Sequence, residues 1–117
     1  MIEQLVARVF ALRDHAHVSH WKTTSYSAHV ALGELYDGLI DKIDGIVEAY
    51  MGLFGQIGAV GRAEMQTTDI AVCLDDELEW LDTHRAKIAH GSTLVENLLD
   101  DLMQLYSSTR YKLVTFK

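Results

Sequence analysis

The sequence predicts an all-α protein, a bundle of four helices, and two observations lead to that prediction. The 117 residues include no proline, the residue that most often ends or kinks a helix. Apolar residues recur at steps of three and four, which is the spacing of one helix face, rather than alternating as along a strand. This length favours a single domain over residues 1–117, with no room for a barrel or a doubly wound sheet.

Two helices are predicted in the first half of the chain. α1 spans about residues 3–25, and α2 spans about residues 28–54 with Ser27 as its N-cap. At 1.5 Å per residue, α2 is about 40 Å long. The residues predicted to face the core are Leu5, Val9, Leu12, Ala16 and Ser19 in α1, and Leu32, Leu35, Leu39, Ile43, Ile46 and Tyr50 in α2.

The second half begins with a predicted linker over residues 55–72, which contains three glycines and the polar run Gln66–Asp69. α3 follows over about residues 75–89, and its acidic start at Asp75–Glu77 suits the positive end of the helix dipole. α4 spans about residues 92–114. Its predicted inward residues are Leu94, Leu98, Leu102, Leu105 and Tyr106.

Three glycines recur every seven residues along α2, at Gly38, Gly45 and Gly52. Each costs up to about 1 kcal/mol of helix propensity relative to alanine. The close approach of another helix would compensate for this cost, and we favour α2 of a second copy. A contact within the chain, or a bend of α2 at its glycines, is the alternative.

Composition and charge exclude several classes of protein. Hydrophobic residues make up 49% and charged residues 23% of the chain, which indicates a folded protein rather than a disordered one. The net charge is -7, so DNA binding is not expected. The single Cys73 excludes an intramolecular disulfide and a thiolate zinc site. No membrane span and no signal peptide are evident, so a cytoplasmic location is expected.

Two groups of side chains suggest a metal site. Four carboxylates lie on one side of α2 at spacings of 4, 3 and 4, namely Asp37, Asp41, Asp44 and Glu48. Such a stripe is usually a solvated helix face, but a bound cation would relieve its repulsion. Four histidines fall within fifteen residues, namely His15, His17, His20 and His29. Imidazole and carboxylate together suit iron, and also zinc or manganese.

The run from His17 through His20-Trp21, His29 and Leu35-Tyr36 to Asp44-x-x-x-Glu48 resembles the Dps-like miniferritins of the ferritin-like superfamily. The resemblance implies a ferritin-like up-down-down-up four-helix bundle with a crossover linker between α2 and α3. It also implies an iron-binding ferroxidase that oxidises Fe(II) with peroxide or dioxygen.

The metal ligands that the resemblance implies are His20 and His29 of one chain, with Asp44 and Glu48 of its partner. A homo-oligomer, at least a dimer through α2, is therefore expected, with no catalytic residue beyond the ligands. Further ligands, or residues that orient the ligands, are expected among a second set: His17, Trp21, Glu34, Tyr36, Asp37 and Asp41. Trp21 is alternatively an aromatic anchor of α1 in the core.

Gly33 departs from the family pattern, because it stands where the family has an acidic ligand four residues after the α2 histidine. It is the main argument for one alternative, a helical dimer that kept the fold without metal chemistry and has a binding or structural role. Another alternative is an all-α magnesium-dependent nucleotide pyrophosphatase. Such enzymes bind magnesium through paired carboxylate motifs on two helices, which Asp41-x-x-Asp44 and Glu79-x-x-Asp82 faintly resemble. That alternative leaves the histidines unexplained, since magnesium prefers oxygen ligands.

Overall fold

The computed structural model describes residues 1–65 and 67–117 and confirms the all-α four-helix bundle. Within these ranges there are four helices and no strand. α1 comprises Ile2–Lys22, α2 comprises Tyr26–Phe54, α3 comprises Ile70–Ala89 and α4 comprises Thr93–Thr115. None of the helices in this described part is long and apolar enough to cross a membrane.

The helices run up, down, down and up. α2 packs against α1 and α4, and α3 packs against the same two helices from the opposite corner. Tyr50 and Phe54 near the end of α2 contact His90 just after the end of α3, so α2 and α3 run in the same direction. Joining them therefore requires a connection that returns along the whole bundle, as the predicted crossover linker does.

Three helix boundaries differ from the prediction because other residues form the caps. Ser25, not Ser27, caps α2, and its hydroxyl oxygen accepts a hydrogen bond from the Ala28 amide. Asp69 caps α3 and accepts hydrogen bonds from two amides of the first turn, so the helix begins at Ile70, five residues before the predicted start. α1 ends at Lys22 rather than near Ser25. The linker is therefore residues 55–69, and Asp75–Glu77 lie in the second turn of α3.

The core contains residues from all four helices and confirms the apolar stripes predicted for α1 and α2, with Ser19 and Tyr50 only partly buried. The stripe predicted for α4 is partly wrong. Leu94 is 53% exposed, and the fully buried Leu99 was missed. The buried face of α4 follows steps of four and three through Val95, Leu99, Leu102, Tyr106 and Thr109, and Leu94 lies outside that series.

The linker runs along α1 from the end of α2 to the start of α3. Near its beginning, the Gly58 amide donates a 2.7 Å hydrogen bond to the Glu3 carboxylate. Further along, Gly61 and Ala7 line one surface groove, and Thr67 and His15 line another. Gln66 of the predicted linker lies outside the described residues.

Acid is expected to release the linker at Glu3. The Gly58 amide and other hydrogen bonds lower the pKa of Glu3 from its usual 4.5 to about 2. Because the folded-state pKa is below the unfolded one, this contact stabilises the fold above pH 4.5, and that stability is lost as the pH falls toward 2. The amide chemical shift of Gly58 should titrate near pH 2, and Glu3→Gln should remove the transition. A midpoint at 4.5 would contradict the hydrogen bond.

Candidate metal centre

His20 near the end of α1 and His29 near the start of α2 form a reciprocal pair, called the histidine pair below. Nδ1 of His20 lies 2.6 Å from the carbonyl oxygen of His29, and Nδ1 of His29 lies 2.8 Å from the carbonyl oxygen of His20. The two rings stack with their centroids 3.7 Å apart. The short turn between the helices brings both residues to this end of the bundle.

These hydrogen bonds fix the tautomer of both rings. A carbonyl oxygen only accepts, so each Nδ1 must carry the hydrogen that it donates. In a neutral imidazole the other nitrogen, Nε2, then has a free lone pair. Metal-binding histidines are commonly oriented in this way, by donating the N–H of one ring nitrogen to a backbone carbonyl while the other nitrogen binds the ion.

Aromatic rings surround the histidine pair on the α1–α2 face. His17 stacks on Tyr36 with centroids 4.0 Å apart, and Trp21 lies 4.3 Å from His17. Tyr36 also meets His20 edge-on at 5.3 Å. Trp21 is 67% exposed, so the interpretation of this residue as a core anchor is wrong. Tyr36 therefore contacts both His17 and His20.

The four carboxylates of α2, called the acidic stripe below, are all exposed on the outer side of the helix: Asp37, Asp41, Asp44 and Glu48. Asp44 follows His29 by fifteen residues, which is about 22 Å along the helix. One chain therefore does not bring its own Asp44 and Glu48 to the histidine pair. In the described part of the chain, no three His, Cys, Asp or Glu residues are grouped closely enough to hold a metal ion.

Glu34 lies on the side of α2 that faces α4. Its carboxylate is 3.2 Å from Nζ of Lys112 in α4. This ion pair directs the Glu34 side chain away from the histidine pair, which lies on the side of α1. The contact gives no support to Glu34 as an additional ligand.

The predicted glycine strip of α2 divides into two parts. A Cβ atom at Gly38 would lie 3.2 Å from Leu105, so this glycine permits close packing against α4 within the chain. At Gly38 the structure therefore shows the alternative, a contact within the chain. Gly45 and Gly52 have no such neighbour among the described residues within 4 Å, and only they are open to another molecule.

A second polar cluster lies between α1 and α3, and the sequence reasoning missed it. Arg8 donates two hydrogen bonds to Glu77, of 2.8 and 2.7 Å, and its guanidinium lies 4.7 Å from the centre of the Trp80 ring. Burial raises the pKa of Glu77, while Arg8 opposes that shift. The signal was present, since Glu77 continues the apolar spacing of Leu74 and Leu81. This cluster holds the two helices together on the far side of the bundle from α2.

Comparison with known proteins identifies one family. The profile of DUF5856, a family of unknown function, matches residues 20–113. No curated protein and no solved structure matches the chain.

Proposed function

The chain belongs to the DUF5856 family, and for it we propose an iron-binding centre between two subunits, where Fe(II) is oxidised by peroxide or dioxygen. The histidine pair of one chain supplies two nitrogen ligands, and Asp44 and Glu48 of the other supply carboxylate ligands. The observation that carries the proposal is the reciprocal bonding of His20 and His29 through Nδ1. In the neutral form of each ring, that bonding leaves the lone pair of Nε2 available to a metal ion.

The position of the acidic stripe supports the sharing of this centre. The histidine pair lies near the start of α2, and Asp44 and Glu48 lie in its second half. Two α2 helices that pack antiparallel, with a two-fold axis near Asp37, would place position 29 of one copy opposite positions 44–48 of the other. Each dimer then has two equivalent centres, and neither centre is complete in one chain.

Electrostatics gives the cation a role in this pairing. The only lysine or arginine in α2 is Lys42, so two facing acidic stripes repel each other strongly. Bound cations offset that repulsion. Carboxylate ligands also add negative charge next to the ion, which favours the ferric over the ferrous state. Imidazole and carboxylate ligands are a set that iron, zinc and manganese all accept.

The protein residues have distinct tasks in the proposed reaction. The histidine pair and the partner carboxylates hold ferrous iron, which is the substrate. A peroxide molecule accepts one electron from each of two ferrous ions and two protons, giving two ferric ions and two water molecules. Tyr36 and His17 pack beside His20 and keep its ring in place during this exchange.

The test is the rate of ferric product formation after Fe(II) is added, with and without peroxide. Wild type is expected to exceed the protein-free rate, and the Asp44→Ala, Glu48→Ala variant is expected to fall to that rate. A control variant, Glu79→Ala with Asp82→Ala, removes two exposed carboxylates from α3 instead and should keep the wild-type rate.

The same experiment distinguishes the proposal from a helical dimer without metal chemistry. That alternative draws on the absence of a three-ligand group within the described residues of one chain. If wild type and both variants all oxidise iron at the protein-free rate, the iron proposal is wrong and the alternative takes its place.

A further inference from the structure

Five positions at a constant spacing of seven form a second seam along α2, called the outer seam below. They are Tyr26, Gly33, Ile40, Val47 and Phe54. A spacing of seven keeps residues on one side of a helix, with a drift of only about 20° per repeat. The buried residues of α2 all lie at other positions, so the outer seam is separate from the side that faces the core.

The largest side chains of the outer seam are open to solvent. Tyr26 is 81% exposed, Ile40 is 38% exposed and Phe54 is 43% exposed. Ile40 lies in the middle of α2, with Tyr26 and Phe54 each fourteen residues away from it. Large apolar side chains that are exposed together mark an interaction surface. Within the described part of the chain, no element covers these three side chains fully.

The symmetric spacing of the outer seam fits a second copy of the chain. We propose that two α2 helices pack antiparallel along their outer seams, with Ile40 at the two-fold axis. Such an axis places Ile40 against the partner's Ile40 and each Tyr26 against the partner's Phe54, so one set of residues serves both copies. The inference rests on the antiparallel α2 dimer of the proposed function and names the side chains that hold it together.

Charge complementarity supports this arrangement in the metal-free dimer. Asp44 lies four residues after Ile40 and Tyr36 lies four residues before it, so antiparallel pairing brings Asp44 opposite the partner's Tyr36. The guanidinium of Arg13 lies 5.6 Å from the centre of the Tyr36 ring, and the Arg13 side chain is 32% exposed. Each Asp44 therefore meets an arginine of the other copy, which offsets part of the repulsion between the acidic stripes. Parallel pairing would instead bring the two Asp44 side chains together.

The same axis agrees with the position of the proposed centre. The His20 ring lies against Gly33, where a Cβ atom would be 3.2 Å from Cε1 of His20. Pairing about Ile40 places Gly33 opposite the partner's Val47, next to the partner's Glu48. An axis at Ile40 lies about one helical turn from Asp37, so it keeps the partner's carboxylates beside the histidine pair.

The oligomeric state of the metal-free chain tests the outer seam. In the presence of a chelator, sedimentation equilibrium is expected to give twice the 13.2 kDa mass of the chain. Ile40→Glu places two like charges at the axis and should raise the dissociation constant of the dimer at least about 100-fold. Val72→Glu introduces the same charge at an exposed apolar residue of α3 and should remain as dimeric as wild type.

Cross-linking tests the antiparallel direction. Chains that carry Tyr26→Cys are mixed with chains that carry Phe54→Cys, and oxidation is expected to join the two kinds of chain to each other. Neither variant alone should form a cross-linked dimer, because the two copies of position 26 lie about 40 Å apart in an antiparallel pair. The native Cys73 is buried and does not compete.

Each outcome decides the proposal. A wild-type chain that stays monomeric in chelator would overturn it, and iron oxidation that depends on Asp44 and Glu48 in that same chain would leave the proposed function standing. Equal dissociation constants for wild type and Ile40→Glu, or cross-links within Tyr26→Cys alone, would also overturn it. A dimer that behaves as expected and does not oxidise iron would refute the proposed function only. Circular dichroism verifies the fold of Ile40→Glu, and the cysteine mixture does not depend on that variant.

Discussion

Replacing Arg8 with methionine is expected to lower the free energy of unfolding by about 3 kcal/mol. Arg8 donates both hydrogen bonds that Glu77 receives from α1, and the Glu77 side chain is only 5% exposed. Without Arg8, a buried carboxylate has no compensating charge. Since the Arg8 side chain is 30% exposed, we expect a cost at the lower end of the range for buried pairs. Urea denaturation at pH 7 measures this cost.

The pH dependence of the same variant identifies the cause. Burial raises the pKa of Glu77 above its usual 4.5, and Arg8 opposes that rise. Loss of Arg8 raises the folded-state pKa further, so the variant loses stability as the pH rises from 4.5 through the folded-state pKa. Arg8→Met should therefore cost less at pH 4 than at pH 7. An equal cost at both values would mean that lost packing of the Arg8 stem, not charge, explains the effect.

The double variant Arg8→Met, Glu77→Leu provides the control. Replacing both partners of a buried ion pair with apolar residues of similar volume is often neutral or stabilising. We therefore expect the double variant to be more stable than Arg8→Met alone. Glu77 and Arg8 also act electrostatically on Tyr106. Because burial raises the pKa of Tyr106, this side chain stays neutral in both variants.

The helices were predictable from the sequence because burial requires apolar residues at helical spacing. Their ends were less so, because several residues compete to cap each helix. Ser25 and Ser27 are equally good caps by type, and the structure uses Ser25. Glu77 shows the same limit in the core: its spacing indicated a buried position, but only the packing of α1 against α3 supplies Arg8 as its partner.

The candidate site divides in the same way. The close spacing of the histidines in the sequence indicated the first turn of α2 and the last turn of α1, and the rings of His20 and His29 stack there. The pattern of side chains could not reveal that backbone carbonyls orient both rings, or that Gly33 makes space for one of them. Whether Asp44 and Glu48 join the histidine pair depends on the surface of a second copy, and a single sequence does not encode that pairing in any local pattern.

Replacing His29 with asparagine is expected to separate structure from metal binding at the histidine pair. The asparagine amide can donate to the His20 carbonyl oxygen as Nδ1 of His29 does. It has no counterpart of Nε2, so one nitrogen ligand is lost. Co(II) affinity should fall by more than about 100-fold. This exceeds the loss of about 10- to 100-fold that is typical when a residue that only hydrogen-bonds to a metal ligand is removed. The free energy of unfolding without metal should change by less than about 1 kcal/mol.

His84 offers a matched control on α3. Its Nδ1 also bonds to a backbone carbonyl oxygen, that of Trp80, at 2.7 Å. His84→Asn therefore makes the same chemical change at a helical histidine outside the proposed centre. Equal losses of cobalt affinity in both variants would show that the metal does not bind through His29. A loss confined to His29→Asn, with the fold equally stable in both, would assign the lost ligand to Nε2 of His29, because the shared backbone bond cannot account for the difference.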